Sequence, residues 1–327
     1  MTDRDLLNRP ASDDVGSPWR PDQATVARLA ASGVPGRSAL TAFLDETAAS
    51  PTPPAERLRQ LGIALEGEGT GDPAADWARL DAVFARAAEE APGAVRVAHS
   101  WGVSALRYIS AGVDASLAAT AQNRAQQVLS TALALDPQDA WVHHSLGMLA
   151  YTASSSSVTE ALGWFERAVA LFVEHEPGDP HHVMAQLHVA HCHHDRRDWA
   201  AALEAYARVD RVALRREWPA WRERRLPALM AQCWLASGET ARARAGVEAI
   251  LGLFEGATQV DGPDSLDELD ELDGLDVVAE IVDGSPLADL APRVAACQER
   301  LARAVAVGDG LVPAPGGRAG AGGEAGC

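Results

Sequence analysis

The run HVAHCHHDRRDW, at residues 188–199, holds the densest set of potential metal ligands in the sequence. On a helix, His188, His191 and Asp195 fall along one face because they are three and four residues apart. Imidazole and carboxylate groups are ligands that zinc accepts. One interpretation is therefore a metal-binding or metal-dependent protein, whose ligands would be His188, His191, His194 and Asp195.

The other interpretation of this run is a helix followed by a turn. Structural zinc sites use four ligands held by tight knuckles, and no CxxC or HExxH motif occurs in the sequence. Cys192 has a counterpart at Cys233 in a similar sequence context, and a buried free cysteine acts as a small hydrophobic residue. This reading predicts no cofactor and no metal, and the metal-binding interpretation stays open beside it.

The elements that carry the run recur along the chain. VAHSWGVSAL (97–106) and VHHSLGMLAY (142–151) share valine, histidine, serine and glycine in register. The small residue of this pattern is Gly102 or Gly147, and Gly62, Ala190 and Ala231 hold the same position in other segments. After each of these residues comes a second helical pattern. It contains a small or aliphatic residue, a bulky residue four positions later and usually a small residue three positions after that. These triplets are Leu80, Phe84 and Ala87; Ala125, Leu129 and Ala132; Ala161, Phe165 and Ala168; Ala202, Tyr206 and Val209; Ala243, Val247 and Ile250.

Close packing explains this pattern. A small residue in the first helix lets the second approach to about 8 to 10 Å, and the bulky residue fills the groove between them. No pair can bury its apolar face alone, so neighbouring pairs must stack. The distance from small residue to triplet is twelve in the last two pairs but longer in the first three, which predicts inserted loops or longer helices there.

These segments resemble a known repeat family. ALALDPQDAWVHHSLGMLAY (132–151) is similar to the junction between two tetratricopeptide repeats, and DRRDWAAALEAY (195–206) resembles the turn and second helix of that family. The resemblance covers about residues 55–255. It implies an all-α, right-handed α-solenoid of about five tetratricopeptide-like helix pairs.

The resemblance also implies a function. In this family the first helices line a concave groove that binds peptides, which implies a non-catalytic scaffold or adaptor with a protein or peptide partner. The alternative is that the inner-face side chains are only solvated. The lysine and asparagine set that grips a C-terminal carboxylate in some of these domains is missing. The implied partner-binding residues are Arg96, His99, Arg107, Trp141, His144, Tyr151, His191, His194, Arg225 and Gln232.

Two blocks of charge lie near the end of the predicted solenoid. Residues 196–225 contain nine arginines and five acidic residues, with Trp218 and Trp221 among them. Arginine and tryptophan can stack on nucleobases, although these arginines can equally solvate a helix. Residues 261–290 are acidic and lead to a last amphipathic helix that would cap the solenoid. One hypothesis is that residues 261–283 lie against the arginine-rich stretch and compete with an acidic partner.

Composition and charge narrow the function further. A formal net charge of −18 disfavours nucleic-acid and anionic-membrane binding, since both need clustered positive charge. No segment approaches the roughly 20 apolar residues of a membrane span, and the opening MTDRDLLNRPASDD lacks the pattern of a secretion signal. We therefore expect a cytoplasmic protein with reduced thiols. No nucleophile elbow or phosphate-binding glycine loop indicates an enzyme.

The predicted organisation has five segments. They are a disordered arm (1–20), an N-terminal helical extension (21–52), the tetratricopeptide-like solenoid (53–256), an acidic segment with a capping helix (257–308) and a disordered tail (309–327).

Overall fold

A computed structural model describes residues 19–111, 113–153, 157–176, 178–218, 220–256 and 269–308. Within these ranges the chain is helical and contains no strand, which confirms the predicted all-α fold. Nearly all of the predicted arm, and the whole of the predicted tail, lie outside the described residues. The helices are α1 Gln23–Ala31, α2 Arg37–Glu46, α3 Pro54–Glu66, α4 Pro73–Glu90, α5 Val95–Ser110, α6 Ala115–Leu135, α7 Ala140–Ala153, α8 Val158–His175, α9 Pro180–Asp195, α10 Trp199–Arg208, α11 Arg211–Glu217, α12 Ala220–Ala236, α13 Thr240–Gly256, α14 Leu269–Val282 and α15 Ala291–Gly308.

The chain divides into two compact units. Residues 1–196, with α1 to α9, are called unit 1, and residues 197–327, with α10 to α15, are called unit 2. The division falls between Arg196 and Arg197, in the turn that the sequence predicts between the two helices of the fourth pair. No helix within the described residues is both long and apolar enough to cross a bilayer.

Aspartate begins several of the helices in unit 1. The side chain of Asp72 accepts hydrogen bonds from the first turn of α4, and Asp114 and Asp179 do the same for α6 and α9. An aspartate at this position satisfies backbone N–H groups that have no partner inside the helix, and its charge suits the positive end of the helix dipole. These caps explain why the helices begin where they do.

The glycine notches pack as the sequence predicts. Helices α3 and α4, α5 and α6, and α7 and α8 form consecutive packed pairs in unit 1. A Cβ atom added at Gly147 would lie only 2.6 Å from the ring of Phe165, and one at Gly102 would lie 2.5 Å from Leu129. Gly62 has the same relation to Phe84. The predicted notches and bulky residues are therefore confirmed as contacts in these three pairs.

The longer spacing in the first pairs has a structural origin. In pair one, residues 67–72 separate the two helices, whereas only residues 237–239 do so in pair five, and α4 extends further before its triplet than α13 does. In pair two, α5 continues to Ser110 and α6 begins ten residues before Ala125. Pair one thus has both a longer loop and a longer helix, and pair two has longer helices. The serine-rich insertion of pair three, at 154–156, lies outside the described residues.

Unit 2 has its own apolar core. Helices α12 and α13 pack together, and Ala231 lies in the same core as Val247, as the notch pattern predicts. Helix α14, part of the acidic segment, adds Leu275 and Val278 to this core and packs against α12 and α15. The described part of the acidic segment is therefore held by apolar contacts. Residues 261–268 lie outside the described residues, and the competition hypothesis stays a prediction.

Candidate interaction surface

The first helices of unit 1 are joined by a periodic set of hydrogen bonds. In each case, the side chain three residues before the small notch residue contacts the side chain two residues before the notch of the next pair. We call these three contacts the polar ladder: Arg59 to Ser100 at 3.0 Å, His99 to Ser145 at 2.9 Å, and His144 to His188 at 3.0 Å. The ladder connects α3, α5, α7 and α9 in order.

The polar ladder is largely buried. Arg59 is fully buried, and its guanidinium also donates to Glu56 at 2.8 Å, while His99 is only 7% exposed. A buried polar group destabilises the fold unless it is hydrogen-bonded, so a shift of one helix pair against the next would leave these groups without partners. The ladder therefore fixes the register of successive pairs.

A second row of contacts repeats at the other end of the same helices. Glu66, four residues after its notch, forms an ion pair with Arg107, which lies five residues after the notch of the next pair. Tyr151 donates a hydrogen bond to Asp195 at the corresponding positions of pairs three and four. Burial would raise the pKa of Asp195, but hydrogen bonds from His194 and Tyr151 outweigh it and hold the pKa below its ordinary value.

Aromatic and imidazole rings cluster between α7 and α9. The Trp141 indole donates to Glu176 at 3.0 Å, and its ring centroid lies 3.7 Å from that of His181. The rings of His144 and His188 stack at 5.1 Å. Burial, followed by the nearby imidazoles of His181 and His99, lowers the pKa of His144 to about 3. His144 is therefore neutral at physiological pH.

The structure places most of the predicted groove residues on the first helices α5, α7 and α9. Arg96 is exposed; Arg107, Trp141, His144, Tyr151 and His194 are partly exposed; His99 and His191 are buried. Arg225 and Gln232 lie on α12 of unit 2. His99 contacts Trp141, and Trp141 and His144 both contact the ring of His181. Tyr151 and His194 are joined through Asp195. The predicted residues of unit 1 thus serve partly as ladder and partly as accessible surface.

The sequence reasoning missed the bonding partners of these residues. Ser100 and Ser145 are buried ladder members, and Glu66 is the partner of both Ser104 and Arg107. The available signal was the recurrence of histidine and serine in register 45 residues apart. Adjacent residues on a helix point apart, so this recurrence is meaningful only between neighbouring pairs.

The proposed metal ligands have other contacts. His188 is buried against His144, and Asp195 accepts the Tyr151 hydrogen bond. In the part of the chain that the structure describes, no three His, Cys, Asp or Glu side chains are arranged to hold a metal ion. Cys192 is fully buried, and this burial raises its pKa to about 12. A buried neutral thiol packs as a small hydrophobic side chain, as does its counterpart Cys233.

Several solved structures are similar to this chain at the level of the fold. No protein-family model matches the chain, and no curated protein matches it. The crystal structure of PilW, a widely conserved type IV pilus biogenesis factor, is similar with a TM-score of 0.49 and 17% identity. The match covers 79% of this chain and 98% of PilW. Similarity at this level carries no information about function.

Proposed function

We propose that this protein is a non-catalytic cytoplasmic scaffold that binds a protein or peptide on the first-helix face of unit 1. This face is formed by α3, α5, α7 and α9. The observation that carries the proposal is the periodicity of the cross-helix contacts. One register recurs between all four consecutive pairs, and the second recurs between pairs one and two and between pairs three and four. Side chains at these positions therefore lie side by side along the first helices.

The chemistry of this face suits a polypeptide. Trp141, Tyr151 and Arg96 belong to the residue types that dominate binding energy at protein interfaces. Trp141 and Tyr151 are held by hydrogen bonds to Glu176 and Asp195. Side chains that are already fixed lose little conformational entropy on binding, so a partner binds them at a smaller entropic cost.

The imidazole of His144 adds hydrogen-bonding capacity without charge. His144 is neutral, and each neutral imidazole has one nitrogen that donates and one that accepts. A peptide backbone presents both donors and acceptors, and an extended peptide therefore matches such a surface. Arg96 at the exposed edge would select for an acidic group, although Glu56 lies close enough to feel its charge.

A displayed library of random dodecapeptides, selected against the immobilised full chain, tests this proposal. We expect a selected peptide to bind wild type and to bind Arg96→Glu and His194→Ala about tenfold more weakly, about 1.4 kcal/mol per contact. Both positions keep some exposure and lie outside the polar ladder. Affinity is measured by fluorescence anisotropy with the labelled peptide.

The matched control is Arg167→Glu. Arg167 is exposed on α8, a second helix, where it contacts Gln138. We expect this variant to bind the peptide as wild type does. The proposed surface would be contradicted if all three variants lost affinity equally. It would also be contradicted if none of the variants changed the affinity for a selected peptide.

A further inference from the structure

A basic hollow of about 530 Å³ lies on unit 2, at α11 and the start of α12. Its lining consists of Arg211, Val212, Arg215, Arg216 and Glu223. Three arginines and one glutamate thus line the same cavity. This is a local concentration of positive charge in a chain with a formal net charge of −18.

Glu223 organises two of the three arginines. Its side chain is only 4% exposed and accepts hydrogen bonds from Arg211 Nε at 2.7 Å and from Arg215 Nη2 at 2.9 Å. Burial would raise the pKa of Glu223, but the bonds from Arg215 and Arg211 outweigh it and keep the pKa below its ordinary value. The buried carboxylate stays charged and holds two largely exposed guanidiniums in place.

Each guanidinium keeps donors for a further acceptor. A guanidinium has five N–H groups, and the contacts with Glu223 engage two nitrogens of Arg211 and one of Arg215. Arg216 bonds only its sequence neighbour Glu217 among the described contacts, at 2.6 Å, and its side chain is 67% exposed. The remaining N–H groups can donate to the oxygens of a carboxylate.

An apolar residue lies beside these charges. Val212 is 75% exposed, whereas Leu214 on the same short helix is fully buried. Trp218, the aromatic residue nearest to the arginines in sequence, is buried with the Arg222 guanidinium 5.8 Å from its ring centroid. Trp218 is thus not available for stacking on a nucleobase, which removes one of the two tryptophans that suggested nucleic-acid binding.

We propose that this hollow binds an acidic peptide segment of a partner protein. Carboxylates of the segment pair with Arg215 and Arg216, and a neighbouring aliphatic side chain packs on Val212. Charge complementarity argues for this occupant, because three arginines attract carboxylates while the acidic remainder of the chain repels a long polyanion. All residues that line the hollow belong to unit 2, so this proposal does not rest on the proposed binding face of unit 1.

The test measures binding of a fluorescein-labelled hexapeptide with five acidic residues around one valine, using the full chain and fluorescence anisotropy. The comparison peptide carries glutamine and asparagine in place of the acids. We expect the acidic peptide to bind at least tenfold more tightly, and its affinity to fall as salt is raised, because exposed charges are screened. Equal affinity for both peptides would overturn the proposal.

The variants are chosen to leave Glu223 paired. Arg216→Glu and Val212→Asp change the lining without removing Arg211 or Arg215, and each is expected to weaken binding of the acidic peptide at least tenfold. Arg208→Glu is the matched control, because Arg208 is 70% exposed on α10 and lies outside the hollow. It is expected to bind within twofold of wild type, and circular dichroism checks that all three variants are folded.

Two further results would overturn the assignment. One is a loss in Arg208→Glu as large as that in Arg216→Glu, which would indicate a diffuse charge effect. The other is tighter binding of a single-stranded oligonucleotide than of the acidic peptide, if that binding is lost in Arg216→Glu. Variants of the unit 1 face, such as Arg96→Glu, are expected to bind the acidic peptide normally, so the two proposals fail separately.

Discussion

Units 1 and 2 use polar residues in different ways. In unit 1 the polar ladder bridges one helix pair to the next, and its contacts span 41, 46 and 44 residues of sequence. In unit 2 the buried Glu223 bonds arginines only eight and twelve residues away, and its neighbouring helices are joined by an apolar core. The first arrangement fixes the register of a stack, and the second fixes the shape of one local site.

This difference has an energetic reason. Glycine notches bring the helices of a pair close together, but apolar contacts alone tolerate small sliding movements. Hydrogen bonds are directional, so a buried histidine bonded to serine allows one alignment. In unit 2 the helices α12 to α15 are joined by an apolar core, mainly of leucine, valine, isoleucine and alanine.

Filling a notch in unit 1 should have the largest effect. Gly147→Ala places a methyl group against Phe165, and overpacking of this kind destabilises by roughly 1 to 3 kcal/mol. Gly163→Ala on α8 is the matched control, because nothing lies within 4 Å of its added Cβ. The control should gain roughly 0.5 to 1 kcal/mol, since alanine favours a helix over glycine. Urea unfolding followed by circular dichroism measures the free energy of unfolding of both variants. Equal changes in the two variants would contradict the close packing at Gly147.

Neutralising the buried carboxylate of unit 2 should have the next largest effect. Glu223→Gln removes the charge from the hydrogen bonds of two arginines, and we expect a loss of roughly 2 kcal/mol in the free energy of unfolding. Glu204→Gln tests the same chemistry at an exposed ion pair with Arg208. That control should change stability by about 0.5 kcal/mol or less, because solvent screens the pair. A similar loss of stability in both variants would show that Glu223 contributes no more than an exposed ion pair does.

Breaking one rung of the polar ladder should have a smaller effect. Ser145→Ala leaves the buried His99 without its 2.9 Å partner, which should destabilise by about 1.5 kcal/mol. Ser130→Ala, an exposed serine on α6, should change stability by about 0.5 kcal/mol or less. Chemical denaturation of both variants distinguishes them. Indistinguishable midpoints would show that the ladder contributes nothing to stability.

Mild acid should give the smallest effect. The pKa of His144 is lowered from 6.5 to about 3, so between these values the unfolded chain binds a proton that the folded chain does not. Stability therefore falls as pH falls below 6.5, by about 1 kcal/mol between pH 6.5 and 5.5. Stability is measured by urea unfolding at several pH values.

The variants of this experiment separate His144 from the other histidines. His144→Asn should reduce the pH dependence by about this amount, whereas His175→Asn, at an exposed position, should retain the wild-type dependence. A pH dependence that His144→Asn leaves unchanged would assign the acid sensitivity to other groups.

Much of the candidate site could be predicted from the sequence, but not its bonds. Arg96, Trp141 and Tyr151 were placed on the first helices by the repeat pattern, and the structure puts them there. The same pattern did not predict the hydrogen bond between His99 and Ser145 of the next pair. The arginine-rich stretch was visible as charge, yet the burial of Trp218 and Glu223 depends on how α11 and α12 pack.

The sequence by itself determined the helices, their aspartate caps and the glycine notches. These depend on interactions within a few turns, and their spacing is written directly in residue order. The tertiary structure alone decided that His144 is neutral, that Glu223 holds two arginines and which side chains remain accessible. Those properties depend on the alignment of groups that are far apart in sequence, and a shift of one residue between helices would change every partner.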